Sequence, residues 1–253
     1  MKSLLTIGLV AAASISTSAT SAGLEPGDTI TVSRIGTAPG RAIRYNYDSS
    51  RMWDGTASGA DHFGLAGVNT FATQTGSAIH SFCVEMNEGF VDDPIVYEVT
   101  TIANVPEDAE PGPMSQAKQT LMQDLYARHF DSIGVPGDYD GTWAQASDRA
   151  AAFQLVVWEI SHENFTSDTD ASTANAEMSI VLGAMAFTDT FNADVLLMAD
   201  EMIASLGDGG YMAYTKLLGL TNPSNQDMLI VVPTPAIAGL AGLGLVGMRR
   251  RRR

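Results

Sequence analysis

The segment that most restricts the fold is Ala150-Ala151-Ala152-Phe153-Gln154-Leu155-Val156-Val157-Trp158. Ser147 can cap a helix running through it to about His162. Such a helix is apolar on every face, so the rest of the chain must surround it. One polar side chain, Gln154, sits in the middle of the run. A buried primary amide without partners costs on the order of a few kcal/mol. Gln154 therefore needs a specific partner, and the simplest one is a nearby backbone group.

The material available to wrap this helix is mostly strand-forming in the first half. Thr29 to Ser33 alternates with period two, and Arg41 to Tyr47 does so less strictly. Ala78 to Met86 and Ile95 to Ile102 read as further strands between Gly, Pro, Asn and Asp clusters. Ser115 to Phe130 carries a helical stripe at Leu121, Met122, Leu125 and Tyr126, and 134–141 reads as a loop. Ser167 to Asn175 is polar and reads as a loop, and Met178 to Phe187 leans to strand. Asn192 can cap a helix through Leu206, and Tyr211 to Leu220 with Met228 to Val232 form a closing strand pair. The sum is an α+β domain: a mostly antiparallel β-sandwich or barrel with a helical insertion.

The two ends differ from this body. Met1-Lys2-Ser3, an apolar stretch from Leu4 to Ala13 and the small-residue run Thr17 to Ala22 have the three parts of a secretory signal peptide, so we expect residues 1–22 to be removed. The segment from Ala236 to Met248 is apolar and glycine-rich, and Arg249 to Arg253 follow it. That order suits a short membrane anchor with its positive end inside. Residues 23–232 remain as one domain. They hold eight Lys and Arg against 29 Asp and Glu, a formal charge of −21. So acidic a body repels nucleic acid, which excludes that class of partner. The lone Cys83 rules out an internal disulfide.

Cys83 lies in Ser81-Phe82-Cys83-Val84-Glu85, where by itself it reads as a small buried hydrophobe. Phe82-Cys83-Val84 followed far downstream by Phe153-Gln154-Leu155-Val156-Val157-Trp158 resembles the thioester domains of bacterial surface adhesins. In that family an aromatic-Cys-aliphatic strand pairs with a hydrophobic-Gln-x-x-hydrophobic-Trp segment. The resemblance implies the family's fold and a Cys83–Gln154 thioester, with Phe82, Val84, Phe153, Val157 and Trp158 around it. It also implies covalent attachment to an amine-bearing surface or matrix molecule. The family's usual Thr before the Gln is Phe153 here, and its usual Ala two residues after is Val156. A thioester places an acyl group on a good leaving group, so an amine can take the acyl carbon and release the thiol. It survives only where water is excluded. The protein is then consumed once and is not a turnover enzyme, and no cofactor or metal is expected.

Val232-Pro233-Thr234-Pro235-Ala236, with the apolar stretch and terminal arginines of 233–253, resembles the PEP-CTERM sorting tail of exopolysaccharide-producing Gram-negative bacteria. The usual glutamate between the prolines is Thr234 here. This resemblance implies processing by an exosortase-type transpeptidase, transient anchoring in the inner membrane, and a final place at the cell surface or in the biofilm matrix.

Other signals are set aside. Gly242 to Gly247 matches a dinucleotide-binding pattern but lacks the surrounding strand and helix. Asp168 to Ser172 begins like a calcium loop, but Thr173 and Ser179 stand where Gly and Glu are needed. A Cys83–His80 hydrolase dyad fails because strand residues three apart face opposite sides. Two alternatives to covalent adhesion stay open: a structural matrix or envelope component with no thioester, and, less favoured, an enzyme using Cys83 as a turnover nucleophile.

Overall fold

The apolar helix is where the sequence places it, and the chain is wound around it. The computed structural model describes residues 23–48, 62–108, 112–135, 137–165, 169–190 and 193–232. The expected signal peptide and Pro233 to Arg253 lie outside them. The element order is β1 (Thr29–Tyr47), β2 (His62–Thr73), β3 (Ala78–Cys83), β4 (Ile95–Thr100), a 3-10 turn (Ile102–Asn104), α1 (Gln116–Ile133), α2 (Trp143–His162), α3 (Ala171–Glu177), β5 (Met185–Thr190), α4 (Ala193–Ser205), β6 (Leu217–Thr221) and β7 (Met228–Val231). Among the described residues this is an α+β fold with one large antiparallel sheet of seven strands and four helices.

The sheet order is β2-β3-β7-β6-β4-β1-β5, and β2 also pairs with β1. The pairings therefore run round a closed circuit of six strands, with β5 added beside the far end of β1. The length of β1 makes the circuit possible. Its first residues pair with β4, and from Val32 to Tyr45 it pairs with β2 on its other edge. Where β1 and β2 cross closely, Gly40 and Gly67 face each other. A Cβ on Gly67 would stand 2.3 Å from the Pro39 carbonyl oxygen, so only glycine lets the backbones approach.

α2 packs against β1, β2, β3 and β5 on one side and α1 and α4 on the other. Every residue from Ala150 to His162 is buried, which is why an all-round apolar sequence is stable as a helix here. The helix begins one turn earlier than expected. Thr142, not Ser147, is the N-cap, in a capping box with Gln145. Ser147 is buried inside the helix, because the Thr-x-x-Gln spacing satisfies two free backbone N–H groups and Ser147 offers no such pair.

Other expectations are corrected. The two short strands at the start are one continuous β1. Residues 171–177, expected as loop, form α3, because Asp170 accepts the Thr173 backbone N–H and caps it. β2 is an additional strand. The segment expected as strand from Met178 is strand only from Met185. The helix before the closing strands is present as α4, its expected cap Asn192 lying outside the described residues. The closing pair is antiparallel as expected, but its first strand begins at Leu217 rather than Tyr211. No helix among the described residues is long and apolar enough to cross a membrane.

Candidate functional site

Cys83 is the last residue of β3, and its main chain has lost one neighbour. β2 pairs with β3 only as far as Asn69 opposite Ser81, while its pairing with β1 on the other edge continues to His62. On the other edge β7 continues, with the Val84 N–H donating to the Asp227 carbonyl at 3.0 Å. The Cys83 N–H and C=O therefore face the side that β2 has left. Gln154, in the middle of α2, fills that place. The Cys83 N–H donates to Gln154 Oε1 at 3.0 Å, and Gln154 Nε2 donates to the Cys83 carbonyl at 2.7 Å. A primary amide carries the donor and acceptor of a peptide group, so Gln154 acts as one rung of the missing strand. Its partner is thus the backbone of Cys83, and the amide is 1% exposed.

The sulfur has two further amide partners, neither singled out in the sequence. Asn69 Nδ2 donates to Sγ at 3.0 Å, and the thiol donates to Gln226 Oε1 at 3.1 Å. Asn69 is itself fixed, since its Oδ1 accepts from the Thr37 hydroxyl, which accepts from Arg34 at 3.0 Å. Gln226 Nε2 donates to the Glu85 carbonyl at 3.1 Å. Asn69 shows in the sequence only as one polar residue in a strand, and Gln226 as part of a turn.

The site has a dry side and an open side. Phe82 and Cys83 alternate across β3, so Phe82 points into the core, its ring 4.6 Å from that of Phe153. Val84, Phe153 and Val157 are fully buried. On the other side a cavity of about 260 Å³ reaches Cys83, lined also by Arg34, Phe63, Met86, Phe90 and Trp158. Of the expected surroundings, Trp158 alone shares this cavity with the sulfur. Phe82 and Phe153 insulate from behind. His80 is on the opposite face, bonded to the Thr70 hydroxyl at 3.2 Å, and lines a separate cavity.

Burial pushes the Cys83 thiol up to about 12, against the lowering effect of the Asn69 hydrogen bond. The sulfur is therefore held as a neutral thiol at ordinary pH. Two residues on, Glu85 is buried, and burial pushes its carboxyl up to about 8. Asp227, beside it, rises to about 7 for the same reason.

Of the expected sorting motif only Val232 is described, its N–H donating to the Lys216 carbonyl at 2.9 Å. Pro233, Thr234, Pro235 and Ala236 lie outside the described residues. The chain matches no family model, no curated protein and no solved structure.

Proposed function

We propose that this chain is an exported surface or matrix protein that attaches once, covalently, to an amine-bearing molecule through a Cys83–Gln154 thioester. The observation that carries the reading is the seating of Gln154, the one glutamine in the apolar run of α2, directly on Cys83, beside a cavity open to a ligand. The resemblance to adhesin thioester domains supplies the chemistry, and the closed circuit of strand pairings supports a barrel-like version of that fold.

Bond formation takes three steps. Gln154 leaves its two hydrogen bonds to the Cys83 main chain and turns its carbonyl carbon to Sγ. The sulfur adds, the thiol proton passes to the amide nitrogen, and ammonia departs. Gln226 Oε1 accepts the thiol hydrogen bond, and Asn69 donates to the sulfur, so the two amides orient Sγ without ionising it. An amine entering the cavity then takes the acyl carbon. The sulfur leaves with one of the amine's protons, a new amide joins Gln154 to the ligand, and the thiol of Cys83 is free again. The aromatic rings of Phe82 and Phe153 behind the bond slow hydrolysis.

Export, processing of the tail by an exosortase-type transpeptidase and a place in the exopolysaccharide matrix complete the reading. They rest on the two ends of the sequence. A second reading is favoured by one observation: the Gln154 amide already completes the ladder at Cys83, a full structural role. In that case the protein is a non-covalent matrix or envelope component. Intact mass decides between them. The first reading expects a mass lower by one ammonia, and a methylamine adduct on Gln154 with Cys83 newly alkylatable. Full mass, with Cys83 labelled quantitatively after unfolding, overturns it. Methylamine on Gln226 would transfer the acyl role to that residue.

A further inference from the structure

The segment leaving Cys83 carries charge that nothing in the thioester reading uses. Glu85, Glu88 and Asp108 each bring a carboxylate oxygen within 4.8 Å of the others. Glu85 is 1% exposed. Its Oε1 accepts the Asp227 backbone N–H at 2.6 Å, and its Oε2 has no partner among the described residues. No Lys or Arg among the described residues forms an ion pair with any of the three. Glu107 and Asp227 add negative charge nearby. The Asp227 carboxylate is already occupied, accepting the Glu107 and Asn222 backbone N–H groups at 2.7 and 2.9 Å.

A buried carboxylate oxygen without a donor is costly unless a proton or a cation meets it. A proton on Oε2 leaves an O–H that also lacks an acceptor, whereas a cation would satisfy all three carboxylates together. Calcium takes oxygen ligands at about 2.3–2.6 Å, so oxygens on opposite sides of one ion stand roughly 4.6–5.2 Å apart. The three carboxylates already lie within that span. Oxygen-only donors disfavour zinc and copper, and donors from two irregular segments suit the variable coordination of calcium better than the strict octahedron of magnesium.

We propose that Glu85, Glu88 and Asp108 form a calcium site, completed by water, that clamps the segment leaving Cys83 to the one following the 3-10 turn. Glu88 also lines the Cys83 cavity, so the ion sits at the border of the ligand's entrance. The site contains no atom of Cys83 or Gln154 and does not depend on the thioester.

The test is calorimetric titration of the mature protein with calcium chloride after chelator treatment, paired with thermal melts. One ion per chain is expected, with Kd of roughly 0.1–1 mM, in the range of extracellular modules. At ten times Kd the melting temperature should rise by about 3–6 °C. The double variant Glu88→Gln/Asp108→Asn, changed at half-buried positions, should lose both signals while melting cooperatively in chelator. Cys83→Ala should bind as the unsubstituted chain does. The site is refuted by absence of saturable heat, by an equal shift from magnesium or from sodium chloride of matched ionic strength, or by an undiminished shift in the double variant.

Discussion

If Gln154 completes the sheet at Cys83, replacing it with leucine should destabilise the protein even where no thioester can form. The comparison is Cys83→Ala against Cys83→Ala/Gln154→Leu, since the amide bonds the main chain of residue 83 and not its sulfur. Leucine keeps the volume within the apolar run from Ala150 to Trp158 but leaves a buried N–H and a buried C=O without partners. Each unsatisfied group costs about 1–3 kcal/mol, giving roughly 2–6 kcal/mol in all. Removing the amide itself returns part of this, because its own burial costs roughly 1–3 kcal/mol. A net loss of about 1–3 kcal/mol follows, or roughly 4–8 °C in melting temperature for a loss near the middle of that range in a chain of this size. Urea unfolding followed by tryptophan fluorescence measures it, with an unchanged m-value as the sign that only stability has moved. A loss below about 0.5 kcal/mol, the level of an ordinary surface change, would refute the strand-rung role.

Three further outcomes are expected. In the Gln154→Leu protein with Cys83 retained, alkylation of the thiol should speed up tenfold per pH unit from pH 8 to beyond pH 10, because burial holds the group near 12; a plateau near pH 9 would contradict that. Burial raises Glu163 from 4.5 to about 7, so the stability linked to that shift is complete below pH 4.5 and is lost as pH rises through 7. Glu163→Gln should therefore gain on the unsubstituted chain across that window, by on the order of 1–3 kcal/mol, with no further gain above pH 8 in chemical denaturation; a difference independent of pH would count against it. Gly67→Ala places a Cβ 2.6 Å from the Gly40 Cα and closer still to the Pro39 carbonyl, and should cost about 2–3 kcal/mol by the same assay; a neutral result would mean the crossing of β1 and β2 is looser than described.

What could be read from the sequence was whatever is written in consecutive residues. The period-two pattern of Thr29 to Ser33, the stripe of α1 and the closing pair β6 and β7 are local signals, and they hold. The apolar run of α2 announced a surrounded helix, and the isolated Gln154 announced a partner. β2 was invisible because Gly64, Ala66 and Gly67 thin out its alternation. Gly67 is small for a tertiary reason: the backbone of β1 passes against it at Pro39 and Gly40. α3 was hidden because a short polar helix, with Asp170 as cap and Ala174 as its one buried residue, looks like a solvated loop. Asn69, Gln226 and Glu85 could not be picked out, since each acquires its role from a strand distant in sequence.

The two faces of β3 let one short motif serve both the core and the proposed chemistry. Phe82 and Val84 alternate with Cys83, so the same three residues send two apolar side chains into the packed interior and one sulfur to the cavity. The helix satisfies the other requirement. Because Gln154 replaces a peptide group and not a side-chain contact, its position is set by the backbone of Cys83 to within hydrogen-bond tolerance, whatever the sulfur is doing. The sulfur lies one side chain's length from the same Cα, between Asn69 and Gln226. Under the thioester reading, closure demands that the Gln154 side chain rotate out of its two hydrogen bonds to Cys83. Under that reading, the amide is held for acyl transfer by the interaction that also stabilises the fold. That coupling is why the Gln154→Leu measurement bears on both readings of the protein: it weighs the hydrogen bonds that must be surrendered before the carbonyl carbon can meet the sulfur.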